Sequence, residues 1–264
     1  MVLRGWLLEP ERLSAEERKA AHKAGGDFLR DLEEQDREEE LGLLWIDCLL
    51  EARAQFLAAG SNDEARAVTY RLNNFFVRQG LYEELVELNS DLLTYEEHPG
   101  PMNWIGRAYT DQSNYPKARK WYQRCLTSSG ENRPKEAAAA WHGLATIDVY
   151  VGDYAAAREK FQKSLEIKQE IGNRAGEAAT FFQLGALAWE LGRLVEGARL
   201  VALCYLIDQS IGHGDTESDF RNLTAMASQL NYTQEQFDSM LQQVDESYQA
   251  DRGQSLLRDA FGDG

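Results

Sequence analysis

The stretch VGDYAAAREKFQKSLEIKQEIG, residues 151–172, returns in altered form forty residues later. Gln169-Glu170-Ile171-Gly172 becomes Gln209-Ser210-Ile211-Gly212, and Gly152 becomes Gly192. The same phrase extends upstream. Trp141-x-x-Leu144-Ala145 precedes Gly152-Asp153-Tyr154-x-x-Ala157-x-x-x-Phe161-x-x-Ser164-Leu165, and Phe181-x-x-Leu184-Gly185 precedes Gly192-Arg193-Leu194-x-x-Gly197-x-x-x-Val201-x-x-Cys204. An earlier copy runs Ile105-Gly106-x-x-Tyr109 to Tyr115-x-x-Ala118-x-x-x-Tyr122-x-x-Cys125, and a weaker one runs Leu72, Gly80-Leu81-Tyr82, Leu85.

Each copy has one physical logic. A first helix carries a bulky residue, then Leu or Ile followed by a small residue where a neighbouring helix must come close. Gly or a polar residue breaks that helix, and an aromatic or Leu starts the second. On the second helix a small residue, an apolar residue four later and a small or short one three later share one face. Neither helix can bury its stripe alone, so the pairs must stack. The spacing predicts an all-α, right-handed superhelical solenoid of antiparallel helix pairs, with degenerate pairs capping both ends. Its parts are an N-terminal helical region over residues 1–65, a repeat array over 66–212 and capping helices over 213–264.

This pattern resembles the tetratricopeptide repeat, whose W-x₂-L-G-x₂-Y … A-x₃-F signature recurs every 34 residues. Here Leu72 to Ile105 is 33 residues, but Ile105 to Leu144 is 39 and Leu144 to Leu184 is 40, so the later units are longer than the standard one. The flanks keep helical signals without the repeat. Ser14-Ala15-Glu16-Glu17 reads as a capping box opening a helix to about Leu32, ahead of the acidic run Glu33–Glu40, a long helix to Ala59 and its partner Asp63–Gln79. Thr216–Leu230 and Thr233–Gln249 read as a closing pair, the second opened by the capping box Thr233-Gln234-Glu235-Gln236. Gly253–Gly264 is expected to be a short helix that frays.

The totals bound the function. With 28 Lys and Arg against 44 Asp and Glu, the 264-residue chain carries −16, and phosphate backbones and anionic lipid would repel it. Direct nucleic-acid or membrane binding is therefore not expected. The charge is uneven: 14 acids against 8 bases over residues 1–60, 19 against 17 over 61–204, and 11 against 3 over 205–264. The nearly balanced middle is the part able to approach another protein. Cys48, Cys125 and Cys204 are too few and scattered for a disulfide framework and read as reduced, buried thiols. No stretch reaches 18 apolar residues and Met1–Pro10 lacks a signal peptide's apolar region, so a cytoplasmic protein is expected.

Chemistry is sparse. His22, His98, His142 and His213 have no second His or Cys at ligand spacing, so no metal and no cofactor is expected. Glu83-Glu84 and Glu96-Glu97 read as solvated faces, and no nucleophile signature appears, so no enzyme activity is expected.

What remains is the concave face of the first helices, a candidate groove for a protein or peptide. Counting from each packing Leu or Ile, its inward positions are Tyr70, Asn74 and Arg78; Asn103, Arg107 and Asp111; His142, Thr146 and Tyr150; then Phe182, Trp189 and Glu190. Phe182 and Trp189 fit core packing equally well, and Arg78, Asn103 and Arg107 fit ordinary solvated surface. The carboxylate clamp of some tetratricopeptide domains is disfavoured, because Arg71, Trp104, Gly143 and Gln183 stand where its Asn is needed.

A second resemblance lies at the front. Leu13-Ser14-Ala15-Glu16-Glu17-Arg18-Lys19-Ala20-Ala21-His22, ending in Phe28-Leu29, is similar to a segment of bacterial signal-transduction ATPases with numerous domains (STAND). HPGPMNWIGRAY (98–109) and EIGNRAGEAATFFQLGALA (170–188) resemble the repeat arrays of those proteins. The resemblance implies a carboxy-terminal sensor region that binds a ligand or partner and releases an ATPase. The chain has no G-x-x-x-x-G-K-[ST] loop to cradle ATP phosphates. It corresponds either to part of a longer protein or to a stand-alone relative, and a stand-alone receptor for a signalling peptide or small molecule is the alternative reading.

Overall fold

The computed structural model describes residues 14–34 and 45–262. Residues 1–13, most of the acidic run at 33–40 and the start of the helix after it lie outside the described residues. Among the described residues there are thirteen α-helices and no strand, an all-α repeat architecture. The chain divides into two compact units, Met1–Arg124 and Cys125–Gly264.

The first unit begins with α1 (Ala15–Glu34) and α2 (Trp45–Ala59), followed by α3 (Asn62–Gln79), α4 (Tyr82–Tyr95) and α5 (Pro99–Asp111). The unit boundary falls within α6 (Tyr115–Ser129). The Ser14 capping box forms: the Ser14 amide donates to Glu17 at 2.8 Å and the Glu17 amide donates to Ser14 Oγ at 3.2 Å. Arg53 is the polar tie of this unit. Its guanidinium, buried on α2, donates to Thr69 Oγ1 on α3 and to the Leu88 carbonyl and Asp91 carboxylate on α4. Asn73 and Asn89 exchange amide hydrogen bonds at 3.1 and 2.7 Å, satisfying two buried side chains at the α3–α4 contact.

The second unit holds α7 (Pro134–Tyr150), α8 (Tyr154–Glu170), α9 (Arg174–Glu190), α10 (Leu194–Ile211), α11 (Thr216–Gln229), α12 (Gln234–Asp251) and α13 (Gln254–Phe261). Its helix breaks explain the repeated phrase. Gly152 and Gly192 both have φ +79°, a left-handed conformation open to Gly without steric penalty. Each closes a helix in the same way: Gly152 N–H reaches the Val149 carbonyl and Asp153 N–H the Asp148 carbonyl, while Gly192 reaches Trp189 and Arg193 reaches Ala188. The glycines at 172 and 212 repeat the device, so a break falls every twenty residues and a helix pair every forty.

Packing follows the small positions. A Cβ on Gly185 would lie 2.9 Å from the Gly197 carbonyl oxygen, and one on Gly197 would lie 2.8 Å from the Gly185 carbonyl oxygen. Backbone therefore meets backbone between α9 and α10. Phe161, Phe181, Leu184 and Leu187 fill the surrounding core, and α10 also packs on α11, α12 and α13. The Thr233–Gln236 capping box opens α12. Glu177, fully buried on α9, accepts from Tyr248 at 2.7 Å and from Arg252 at 3.1 Å, tying the closing pair to the array.

The short helix expected over 253–264 is present as α13, and over its described residues it is docked rather than frayed, while 263–264 lie outside the described residues. The helix α13 buries Leu256, Leu257 and Ala260, and Arg158 and Arg193 donate to the Phe261 and Asp259 carbonyls, with Arg199 on the Asp259 carboxylate. The segment is short and polar overall, but its apolar stripe lands on α10 and its C-terminal carbonyls find guanidinium donors. Leu256→Ala is expected to lower stability by about 2–4 kcal/mol, read from the midpoint of urea unfolding. A change within about 0.5 kcal/mol, as at an exposed site, would mean that α13 is not docked in solution.

Candidate functional site

Of the twelve groove positions read from the sequence, Tyr70, Asn74, Arg78, Asn103, Arg107 and Asp111 fall in the first unit. There Tyr70 and Trp104 lie with ring centroids 6.1 Å apart and the Arg107 guanidinium stands 5.5 Å over the Trp104 ring. Arg107 also faces Asp111 across one turn at 3.8 Å, so part of its charge is already met within α5. Burial raises the Asp111 carboxyl and Arg107 opposes the rise. Asn74 donates to the Tyr70 carbonyl of its own helix, and Arg78 lies exposed at the end of α3.

The other six fall in the second unit, where a cleft of about 340 Å³ opens. His142 of α7 and Phe182 of α9 line it, with Ala175, Ala179 and Gln183 on the same α9 face. The remaining wall was not legible as groove: Cys204 and Asp208 come from the second helix α10, His213 and Asp215 from the turn, and Ser218, Asp219 and Asn222 from α11. Thr146 donates to the His142 carbonyl, Tyr150 and Glu190 lie exposed, and Trp189 packs against the unit's core.

Two buried polar groups shape the cleft, and they occupy the same register of successive repeats. Lys168 on α8 donates to Thr180 Oγ1 at 2.8 Å and to His142 Nδ1 at 3.3 Å. That geometry fixes His142 as the neutral acceptor. Burial, then the Lys168 ammonium, hold the imidazole down to about 3, and burial brings Lys168 down to about 8. Forty residues on, Asp208 occupies the matching position on α10 and faces Asp219 of α11. Burial, then the Asp219 carboxyl beside it, push Asp208 up to about 6. Burial and the neighbouring Asp219 and Asp208 carboxylates raise the Cys204 thiol well above its ordinary range.

Residues 136–196 match the family model described as tetratricopeptide repeat, which covers nearly all of α7, then α8, α9 and the start of α10. Over those rungs the chain is similar to the tetratricopeptide repeat. No curated protein matches the sequence. Among solved structures it is similar to BtubC (BKLC) from P. vanneervenii, at 17% identity over 91% of this chain and 93% of that one, with a TM-score of 0.48. It is also similar to a tetratricopeptide repeat protein from Parabacteroides merdae, at 16% identity over 84% and 99% of the two chains, with a TM-score of 0.38. Tetratricopeptide proteins generally bind proteins or peptides, and among the described residues no helix is long and apolar enough to cross a membrane.

The half-buried imidazole has a measurable consequence. His142 titrates near 3 when folded and near 6.5 when unfolded, so below pH 6.5 protons bind the unfolded chain preferentially. Its contribution to stability is present above that pH and is lost as pH falls toward 3. Between pH 6 and 4, wild type should lose up to about 1.4 kcal/mol per pH unit more than His142→Gln, measured by urea unfolding at each pH. Parallel slopes for the two proteins would show an imidazole that stays solvated.

Proposed function

We propose that this chain is a tetratricopeptide scaffold that holds a protein or peptide segment in the second unit's cleft. One observation carries the reading: first-helix residues His142, Phe182 and Gln183 and the α11 residues Asp219 and Asn222 converge on one concave space. Phe182 offers an aromatic wall, and Gln183 and Asn222 offer both donors and acceptors, the groups that orient an extended backbone. A neutral His142 leaves the cleft acidic, so the preferred guest carries positive charge or hydrogen-bond donors. The role is binding rather than catalysis.

The array serves as the sensor of a bacterial signal-transduction ATPase of the STAND type and works in the cytoplasm. The front segment ending in Phe28-Leu29 and the phrase at 170–188 support this assignment. In it, the repeat array spans residues 66–212 between the helical regions 1–65 and 213–264, and the first closing helix adds Asp219 and Asn222 to the wall that holds the guest. An antibody against this chain should then detect a native band several times larger than 29.9 kDa in its source cells. A band at 29.9 kDa would favour the second reading, a stand-alone receptor for a signalling peptide or small molecule. The size of the cleft also suits that reading, since small-molecule sites begin at about 300 Å³.

Binding itself is tested by selecting peptides from a displayed library on the purified chain. Phe182→Ala should weaken the selected binders by roughly 2 kcal/mol, the scale of an interface anchor. Binders insensitive to Phe182→Ala and to Asn222→Ala would place the guest elsewhere.

A further inference from the structure

The inner end of the cleft holds a cluster that a peptide groove does not require. Cys204 and Asp208 stand one turn apart on α10 and so share a face, and Asp219 approaches them from α11. The thiol and one oxygen of each carboxylate all lie within 4.8 Å of one another. All three residues are more than nine-tenths buried, at 2%, 4% and 7% exposure. Asp208 Oδ1 and Asp219 Oδ2 accept no hydrogen bond there. Buried carboxylate oxygens without donors are costly, and a pair of them facing each other adds mutual repulsion. Of the described residues lining the cleft, none is lysine or arginine, and the basic group beside the pair is the His213 imidazole, which offsets the charge only when protonated.

We propose that Cys204, Asp208 and Asp219 hold a divalent transition-metal cation of the zinc class, with the fourth coordination position turned toward the cleft. The donor chemistry selects the class. Calcium and magnesium take six or more oxygens and avoid sulfur, whereas zinc and cobalt accept thiolate, carboxylate and imidazole in fours. Tetrahedral bonds of about 2.0–2.3 Å separate ligand atoms by about 3.3–3.7 Å, so donors now within 4.8 Å need to close by about 1 Å. His213 stands beside the fourth position. Its Nδ1 is 3.4 Å from the Asp208 carboxylate and accepts from the Asp215 amide at 3.3 Å. Either a rotation of this partly exposed ring or a water completes the set. On binding, the metal takes the place of the thiol proton, which leaves to solvent, and nothing is oxidised. The site would also pin α10 to α11, the first helix beyond the strongest repeats. This inference is independent of which guest the cleft holds.

The purified full chain, stripped with a chelator and dialysed, is titrated with cobalt(II) chloride and then with zinc chloride. Uptake of one equivalent should bring a sulfur-to-cobalt charge-transfer band in the near ultraviolet, which zinc then abolishes. Saturating zinc should also raise the melting temperature. Cys204→Ser should remove the band, while Cys48→Ser should leave it. Asp219→Asn, shown to be folded by circular dichroism, should weaken cobalt binding by about tenfold or more, the loss reached even for outer-shell partners. If Cys204→Ser does not fold, the Asp219→Asn and Asp208→Asn affinities decide. Overturning results are the lack of a band in wild type, a band that survives Cys204→Ser, or affinity unchanged in both aspartate variants. With a net charge of −16, weak uptake by surface carboxylates without a sulfur band also counts against the site.

Discussion

The contact on which the second unit depends is the approach of two backbones at Gly185 and Gly197. With no Cβ on either side, α9 and α10 come close enough that a side chain on one residue would strike the carbonyl oxygen of the other. That contact sets the position of α10, and α10 in turn carries the greatest share of the unit's packing. It receives α11, α12 and α13, and it brings Cys204 and Asp208 to the cleft. The consensus "small residue" of the repeat is thus a distance constraint, and the functional geometry is downstream of it.

The repeat also explains why the cleft is polar. One position late in each second helix looks toward the next first helix. Ser129 fills it on α6 and spends its hydroxyl on the Cys125 carbonyl of its own helix. Lys168 fills it on α8 and spends its ammonium on Thr180 and His142. Asp208 fills it on α10, where one carboxylate oxygen finds no donor. A scaffold position that is structurally tolerant of polarity has been satisfied internally in two rungs and left with unused acceptor capacity in the third. That difference, rather than the repeat itself, is what marks the site.

Much of the fold was legible because it is written locally. Glycines twenty residues apart announce the helix breaks, and each capping box lies within four consecutive residues, as at Ser14–Glu17 and Thr233–Gln236. The docking of α13 was not legible, because Arg158 and Phe261 are 103 residues apart and no local pattern links them. Counting inward positions along first helices alone reached His142 and Phe182, which line the cleft, but could not reach the α10 and α11 side of it. A search for paired His and Cys likewise passed over Cys204, Asp208 and Asp219. The i, i+4 spacing of the first two was visible, but the third joins them only when α11 folds back. Arg107 shows the converse. Its register on the first helix made it a groove candidate, whereas Asp111 and Trp104 already engage it.

The central claim, that the cleft between the first-helix face and α11 is where this scaffold holds its guest, is tested most directly by hydrogen exchange on the full chain with and without a bound peptide. Added protection should concentrate in peptides covering 175–183 and 213–222, with little change in α2 to α4. Protection confined to the first unit, or spread evenly over both, would contradict the account.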